Sequence, residues 1–125
     1  MYYLIQNHIG FSKFKKYVND NKIEKGKEMG INAGVQIKVN VIAELMQVYC
    51  GGSVGLYYVT GLPARQRSGL IFCDTGFSGI AFNISDKLNI NTRIAFRHLS
   101  NASITAPNGG INNLQYFLGI GLPLE

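Results

Sequence analysis

The 125-residue chain carries twelve Lys and Arg against seven Asp and Glu, a net charge of +5, and charged residues make up only 15% of it, where soluble domains carry roughly 25%. That length fits one domain with too few charges for an ordinary water-facing surface, and fifteen glycines beside only three prolines exclude a disordered or collagen-like bias. No apolar run reaches the ~20 residues of a membrane-spanning helix, because Glu44 and Gln47 interrupt the best stretch.

The opening segment MYYLIQNHIGFSKFKK lacks the basic region, apolar run and small-residue cleavage site of a secretory signal, so the chain is either mature or short of its beginning. Met1 to Phe11 offers one poorly alternating strand. Lys13 to Glu28, dense in charge, reads as a loop. From Ile31 the pattern sharpens. Ile31, Ala33, Val35, Ile37, Val39 and Val41 alternate with polar or small residues, a period of two that makes a strand with one apolar face. Four further strands are predicted from Val48, Val54, Leu56 and Tyr58; from Ile80, Phe82 and Ile84; from Leu88, Ile90, Ile94 and Phe96; and from Leu114, Tyr116, Leu118, Ile120 and Leu122. In these four the large apolar residues are even-numbered.

The connections alternate between short (near Ile42 to Leu45 and Ser85 to Lys87) and long (Gly61 to Leu70 and Asn101 to Ile111), which puts the two long loops at one end. Long alternating strands, short turns opposite longer loops, and aromatics near strand ends (Tyr57, Tyr58, Phe72, Tyr116) predict an antiparallel, up-and-down outer-membrane β-barrel. One domain is expected over residues 1–125, with 1–29 poorly patterned and 30–124 in clear strands. A soluble sandwich is the competing fold, but it would place Lys and Glu on its second face. Here that face carries Gly, Ser, Ala, Asn and two arginines, which suits a narrow lumen. Arg93 and Arg97 are accordingly placed inside, pairing with polar neighbours rather than with substrate. Cys50 and Cys73 show no metal-ligand spacing, and pairing across the first long loop sets Cys50 opposite residue 80, so no disulfide is expected. His8 is read as an incidental residue.

Chemistry is concentrated in RHLSNASITAPNGGIN, residues 97–112. His98 and Ser100 lie two apart and leave the same, apolar face. A histidine can act as general base for a serine hydroxyl, and the same pair can equally cap a strand before a turn. Asn112, also even-numbered, returns to that face, while Asn113 points inward. An Asn carbonyl can orient a catalytic imidazole; an Asn after Gly109 and Gly110 also fits a plain turn.

His98-Leu99-Ser100-Asn101-Ala102, then Pro107-Asn108 and Gly110-Ile111-Asn112 before an alternating strand, resembles the lipid A 3-O-deacylase (PagL) family, also grouped as acyloxyacyl hydrolases. The resemblance extends more loosely over about Met46 to Leu124. It implies an eight-stranded barrel of the bacterial outer membrane with a serine-hydrolase site on its lipid-facing wall. By resemblance His98 is the base, Ser100 the nucleophile, and Asn101 with the backbone N–H groups of Ala102 and Ser103 the oxyanion hole. The third triad position, usually glutamate, is Asn112, which would stabilise an imidazolium less. Some relatives use Asn there too. The implied substrate is an acyl ester of lipid A in lipopolysaccharide, the 3-O-linked 3-hydroxyacyl chain, with no cofactor or metal and no nucleic-acid partner. A monomer or weak homodimer among outer-membrane lipids is expected, the basic balance drawing it to anionic head groups. Arg65 and Arg67, on the long loop at the same end, are candidate contacts to a lipid A phosphate. Five clear strands against eight implied predict a barrel truncated at its N-terminus, with no signal peptide in the chain. The competing function is a non-catalytic outer-membrane barrel or lipid-binding protein of the same fold.

Overall fold

The structure, a computed structural model, describes residues 1–15 and 23–121. These form six antiparallel strands and no helix: β1 (Tyr2–Lys15), β2 (Ile23–Ile42), β3 (Met46–Val59), β4 (Gly69–Ser85), β5 (Leu88–Ser100) and β6 (Ile111–Gly121). Each pairs with the next in chain order, and the sheet curls into a half-barrel. The three-residue turn after β2 and the two-residue turn after β4 lie at one end, opposite the 60–68 and 101–110 loops.

Two-residue alternation explains why these segments are strands. Outward positions are odd-numbered in β1 and β2 and even-numbered in β3 to β6, because paired numbers in β2 and β3 have an odd sum (Ile31 opposite Leu56) and those of the later pairs an even one. Large apolar side chains line the outward face, Ile9 and Leu118 each 82% exposed, in the continuous band that a hydrocarbon environment covers. Three strands depart from the sequence reading. β1 runs on through Lys13 to Lys15, the first residues of the segment read as a charged loop, because they pair with Ile23 to Lys25. Ile23 to Glu28, read as part of a charged loop, begins the 20-residue strand β2; residues 16–22 of that loop lie outside the described residues, as do Leu122 and Leu124. β4 starts at Gly69, ten residues before its alternation becomes visible, since Ile71 and Cys73 face inward while Leu70 and Phe72 face outward, leaving both faces apolar there. The described strands therefore number six, where five were clear in sequence.

Inside, Tyr57, Val59, Leu62, Ile71, Cys73, Leu99 and Ile111 form an apolar plug at the long-loop end. A second cluster of Tyr49, Phe77, Ala81 and Ala95 fills the wall nearer the short turns. Between them runs a polar network. The Arg97 Nη2 group donates to Glu28 Oε2 at 3.1 Å, its Nε donates to Asn113 Oδ1 at 3.1 Å, and its guanidinium sits 5.8 Å from the Tyr57 ring. His8 Nε2 reaches Glu28 Oε1 at 3.1 Å, and Asn32 Nδ2 donates to the Tyr57 hydroxyl at 2.7 Å. Arg93 lies over the Phe117 and Phe77 rings at 4.3 and 5.0 Å. Both arginines thus face the lumen as expected, and His8, read as incidental, is part of the network. Both cysteines are free. Cys50 is opposite Ser78, two residues from the expected partner, and Cys73 is opposite Gly55 on the other face.

Arg97 and Glu28 are 3% and 6% exposed, so removing one partner strands a buried charge. Arg97→Met is expected to lower stability by about 3–5 kcal/mol, read from the urea midpoint in detergent; an unshifted midpoint would show that the pair contributes nothing.

Candidate active site on the lipid-facing wall

The end of β5 carries the candidate site because its side chains alternate between two very different surroundings. Leu99 is fully buried in the inner plug, which forces His98 and Ser100 on either side of it outward. His98 is opposite Asn112 on β6 and Asp74 on β4, so three polar residues lie in one row across three strands. Ser100 is one row nearer the long loops, opposite Phe72. His98 Nδ1 and Asn112 Oδ1 are 2.6 Å apart. With that carbonyl oxygen as acceptor, Nδ1 carries the hydrogen and Nε2 keeps its lone pair. Among the described residues no hydrogen bond joins the Ser100 hydroxyl to the ring; such contacts commonly tighten only when substrate is bound. Asn113, the next residue, is bonded to Arg97 in the lumen.

The ring is held from above by a loop. Gly110 has a φ of +61°, and a Cβ built there would come within 2.9 Å of His98 Cε1. Only glycine fits both the left-handed backbone and the close approach. The Gly110 N–H donates to Gln66 Oε1 at 3.0 Å, and Gln66 is 2% exposed. Around it the two long loops interlock: Gln66 bridges Asn108, the Arg67 N–H donates to the Pro107 carbonyl at 2.9 Å, and the Gly109 N–H to that of Arg65 at 2.6 Å. Arg65 and Arg67 are exposed on this clamp, at the same end as His98 and Ser100.

The residues after Ser100 form a tight turn. Asn101 is buried, its Nδ2 donates to the Thr105 carbonyl at 2.6 Å and to Thr105 Oγ1 at 3.0 Å, and its N–H donates to Asn108 Oδ1 at 3.0 Å. Asn101 Oδ1 accepts from the Ser103 N–H at 3.1 Å. The donors of Asn101 and Ser103 are therefore engaged inside the loop, while among the described residues the Ala102 N–H has no partner. Ala102 and Ser103 both have positive φ, 51° and 61°. Consecutive non-glycine residues in that region are uncommon and persist only where the surroundings impose them.

Below the row runs an outward groove of about 600 Å³. Gly52 and Gly76, paired across β3 and β4, leave its floor without side chains, Val54 and Phe96 wall it, and Asp74 and His98 border it. Gln66 and Asp74 escaped the sequence reading. Asp74 sat in a segment with no visible alternation, and a lone Gln in a loop carries no signal. Among the described residues no group of three or more His, Cys, Asp or Glu could hold a metal ion.

An antiparallel half-barrel with an apolar outer band is a β-barrel of the outer-membrane type, and here it carries His98, Asn112 and Ser100 on that band. A family model described as lipid A 3-O-deacylase (PagL) matches residues 5–121, nearly the whole chain, and the chain belongs to this family of outer-membrane hydrolases. Comparison with curated proteins and with solved structures gave no match.

Gly110→Ala should displace the imidazole without touching the strands. The expected result is a loss of hydrolytic rate of about 10- to 100-fold with the folded fraction retained, measured by acyl release beside far-UV circular dichroism; full activity would show that the ring does not depend on this contact.

Proposed function

We propose that the chain is a serine esterase that removes the 3-O-linked 3-hydroxyacyl chain of lipid A. The carrying observation is the 2.6 Å contact between His98 Nδ1 and Asn112 Oδ1 on the lipid-facing wall, with Ser100 on the same face. Ser100 Oγ attacks the ester carbonyl as His98 Nε2 takes its proton. The tetrahedral intermediate then collapses, His98 passes the proton to the leaving sugar oxygen, and water releases the fatty acid from the acyl-enzyme. Asn112 fixes the tautomer and orientation of the ring.

The Ala102 N–H is the free donor for the developing oxyanion. Asn101 and Ser103, the other members of the expected oxyanion hole, act by holding the turn that presents it. The acyl chain lies in the groove over Gly52 and Gly76, within the apolar band where lipid tails already are. Arg65 and Arg67 meet the phosphate of the sugar head at the long-loop end, which in outer-membrane barrels faces outward. Asn112 carries no charge, so it supplies orientation without charge stabilisation of the imidazolium.

Detergent-solubilised protein incubated with purified lipid A should yield a product lighter by one 3-hydroxyacyl chain in the mass spectrum, and Ser100→Ala should yield none. Unchanged lipid A with the unmutated chain would instead establish a non-catalytic barrel. The groove has its own test. A Cβ at Gly76 meets nothing within 4 Å, so Gly76→Leu folds but fills the floor. It is expected to lower kcat/KM by about ten-fold or more for long acyl chains and less for short ones; equal effects on both would place the chain elsewhere.

A further inference from the structure

The sequence holds seven Asp and Glu, and the alternation of the strands sorts them. Glu24 and Glu28 are inward-facing on β2, Glu44 and Asp86 are in the short turns, and Asp20 and Glu125 lie outside the described residues. Asp74 is the one carboxylate on the outward face of the described strands. A lipid-facing wall is an expensive place for a carboxylate, and an ionisable group there calls for a function and a partner. Its surroundings leave few partners. Val54 is opposite it on β3, Phe72 and Gly76 are its outward neighbours along β4, and His98 is opposite it on β5. Residues directly opposite in an antiparallel pair hold their Cβ atoms about 4.5–5.5 Å apart. His98 is thus flanked at one strand's spacing on each side, by Asn112 and by Asp74.

We propose that Asp74 supplies the negative charge that Asn112 lacks. When Nε2 accepts the Ser100 proton, the ring becomes a cation between an amide oxygen that holds its orientation and a carboxylate that stabilises its charge. Orientation and charge compensation are divided between β6 and β4. Asp74 is a positioning and electrostatic residue that does not touch the ester, and its effect falls on the step in which the imidazolium forms. In a wall poor in water this charge is little screened. The assignment rests on the catalytic reading of His98 and Ser100.

The test is a double-mutant cycle on the full chain in detergent, following acyl release from lipid A in the unmutated protein, Asp74→Asn, Asp74→Glu, Asn112→Glu and Asp74→Asn with Asn112→Glu. Asp74→Asn should lower kcat by about 10- to 100-fold with KM within two-fold, and Asp74→Glu should keep most of the rate. With Glu at position 112, the cost of Asp74→Asn should shrink below about three-fold, because one carboxylate beside the ring suffices. A full kcat in Asp74→Asn, a loss confined to KM, or an equal loss whichever residue stands at 112 would each overturn the assignment. Urea midpoints for each variant separate loss of fold from loss of charge, and should Asp74→Asn fail to fold, the Asp74→Glu rate relative to the unmutated chain decides. Ser100→Ala, run alongside, separates the two levels: if it retains activity, the catalytic reading itself falls, whereas an inactive Ser100→Ala beside a fully active Asp74→Asn removes only the role of Asp74.

Discussion

Each residue of an antiparallel wall faces either outward or inward, and the hydrogen-bonded register carries that choice from strand to strand. A slip of one residue would exchange the two faces of a whole strand. Here the cost of such a slip is high on both sides. Leu99 would leave the plug it shares with Ile71 and Val59, and Arg97 would leave Glu28 and Asn113 for an apolar surface. The ion pair and the plug in the lumen therefore hold His98 and Ser100 outward without touching either. The register shifts that do occur, between Asn40 and Ile42 and between Asn83 and Ser85, are confined to the short-turn end, away from the site.

Rigid strands set the row of Asn112, His98 and Asp74, and the loops finish it. A loop of ten residues on its own would leave the imidazole free to rotate. The clamp between the 60–68 and 101–110 loops removes that freedom with main-chain bonds and with one buried side chain, Gln66, whose oxygen fixes the glycine that packs on the ring. The same clamp carries Arg65 and Arg67, exposed at the long-loop end, so its rigidity and its charge come from neighbouring residues of one segment.

Much of this was legible because the signal is local. Alternation from Ile31 to Val41 and from Leu114 to Ile120 gave strand and facing together, and parity alone placed His98, Ser100 and Asn112 on one face with Asn113 on the other. What was not legible depends on long-range partners. Ile23 to Glu28 looks like a solvated charge run until Arg97 and His8 arrive to pair with Glu28 across the lumen. Leu70 to Cys73 lacks alternation because lipid covers one face and the plug the other. The expected oxyanion donors of Asn101 and Ser103 could not be tested on sequence, since only the folded loop shows that Thr105, Asn108 and Asn101 itself take them up. Asp74 belongs to the same class: its relation to His98 exists only in the register of β4 against β5.

An outward site imposes its own electrostatics. Hydrocarbon strengthens every charge interaction and penalises every unpaired charge, so a resting site on this wall is least costly when few of its groups are ionised. An Asn beside the imidazole meets that condition, because its carbonyl accepts the Nδ1 hydrogen and brings no charge of its own. In the proposed reaction, proton transfer from Ser100 creates the cation in the place where compensation is most effective. A carboxylate one strand away, bordering the groove, acts on the ring through its charge without a hydrogen bond to it. With the orienting group and the charge on different strands, the resting ring is held by a neutral acceptor and the reacting ring draws on the charge opposite it.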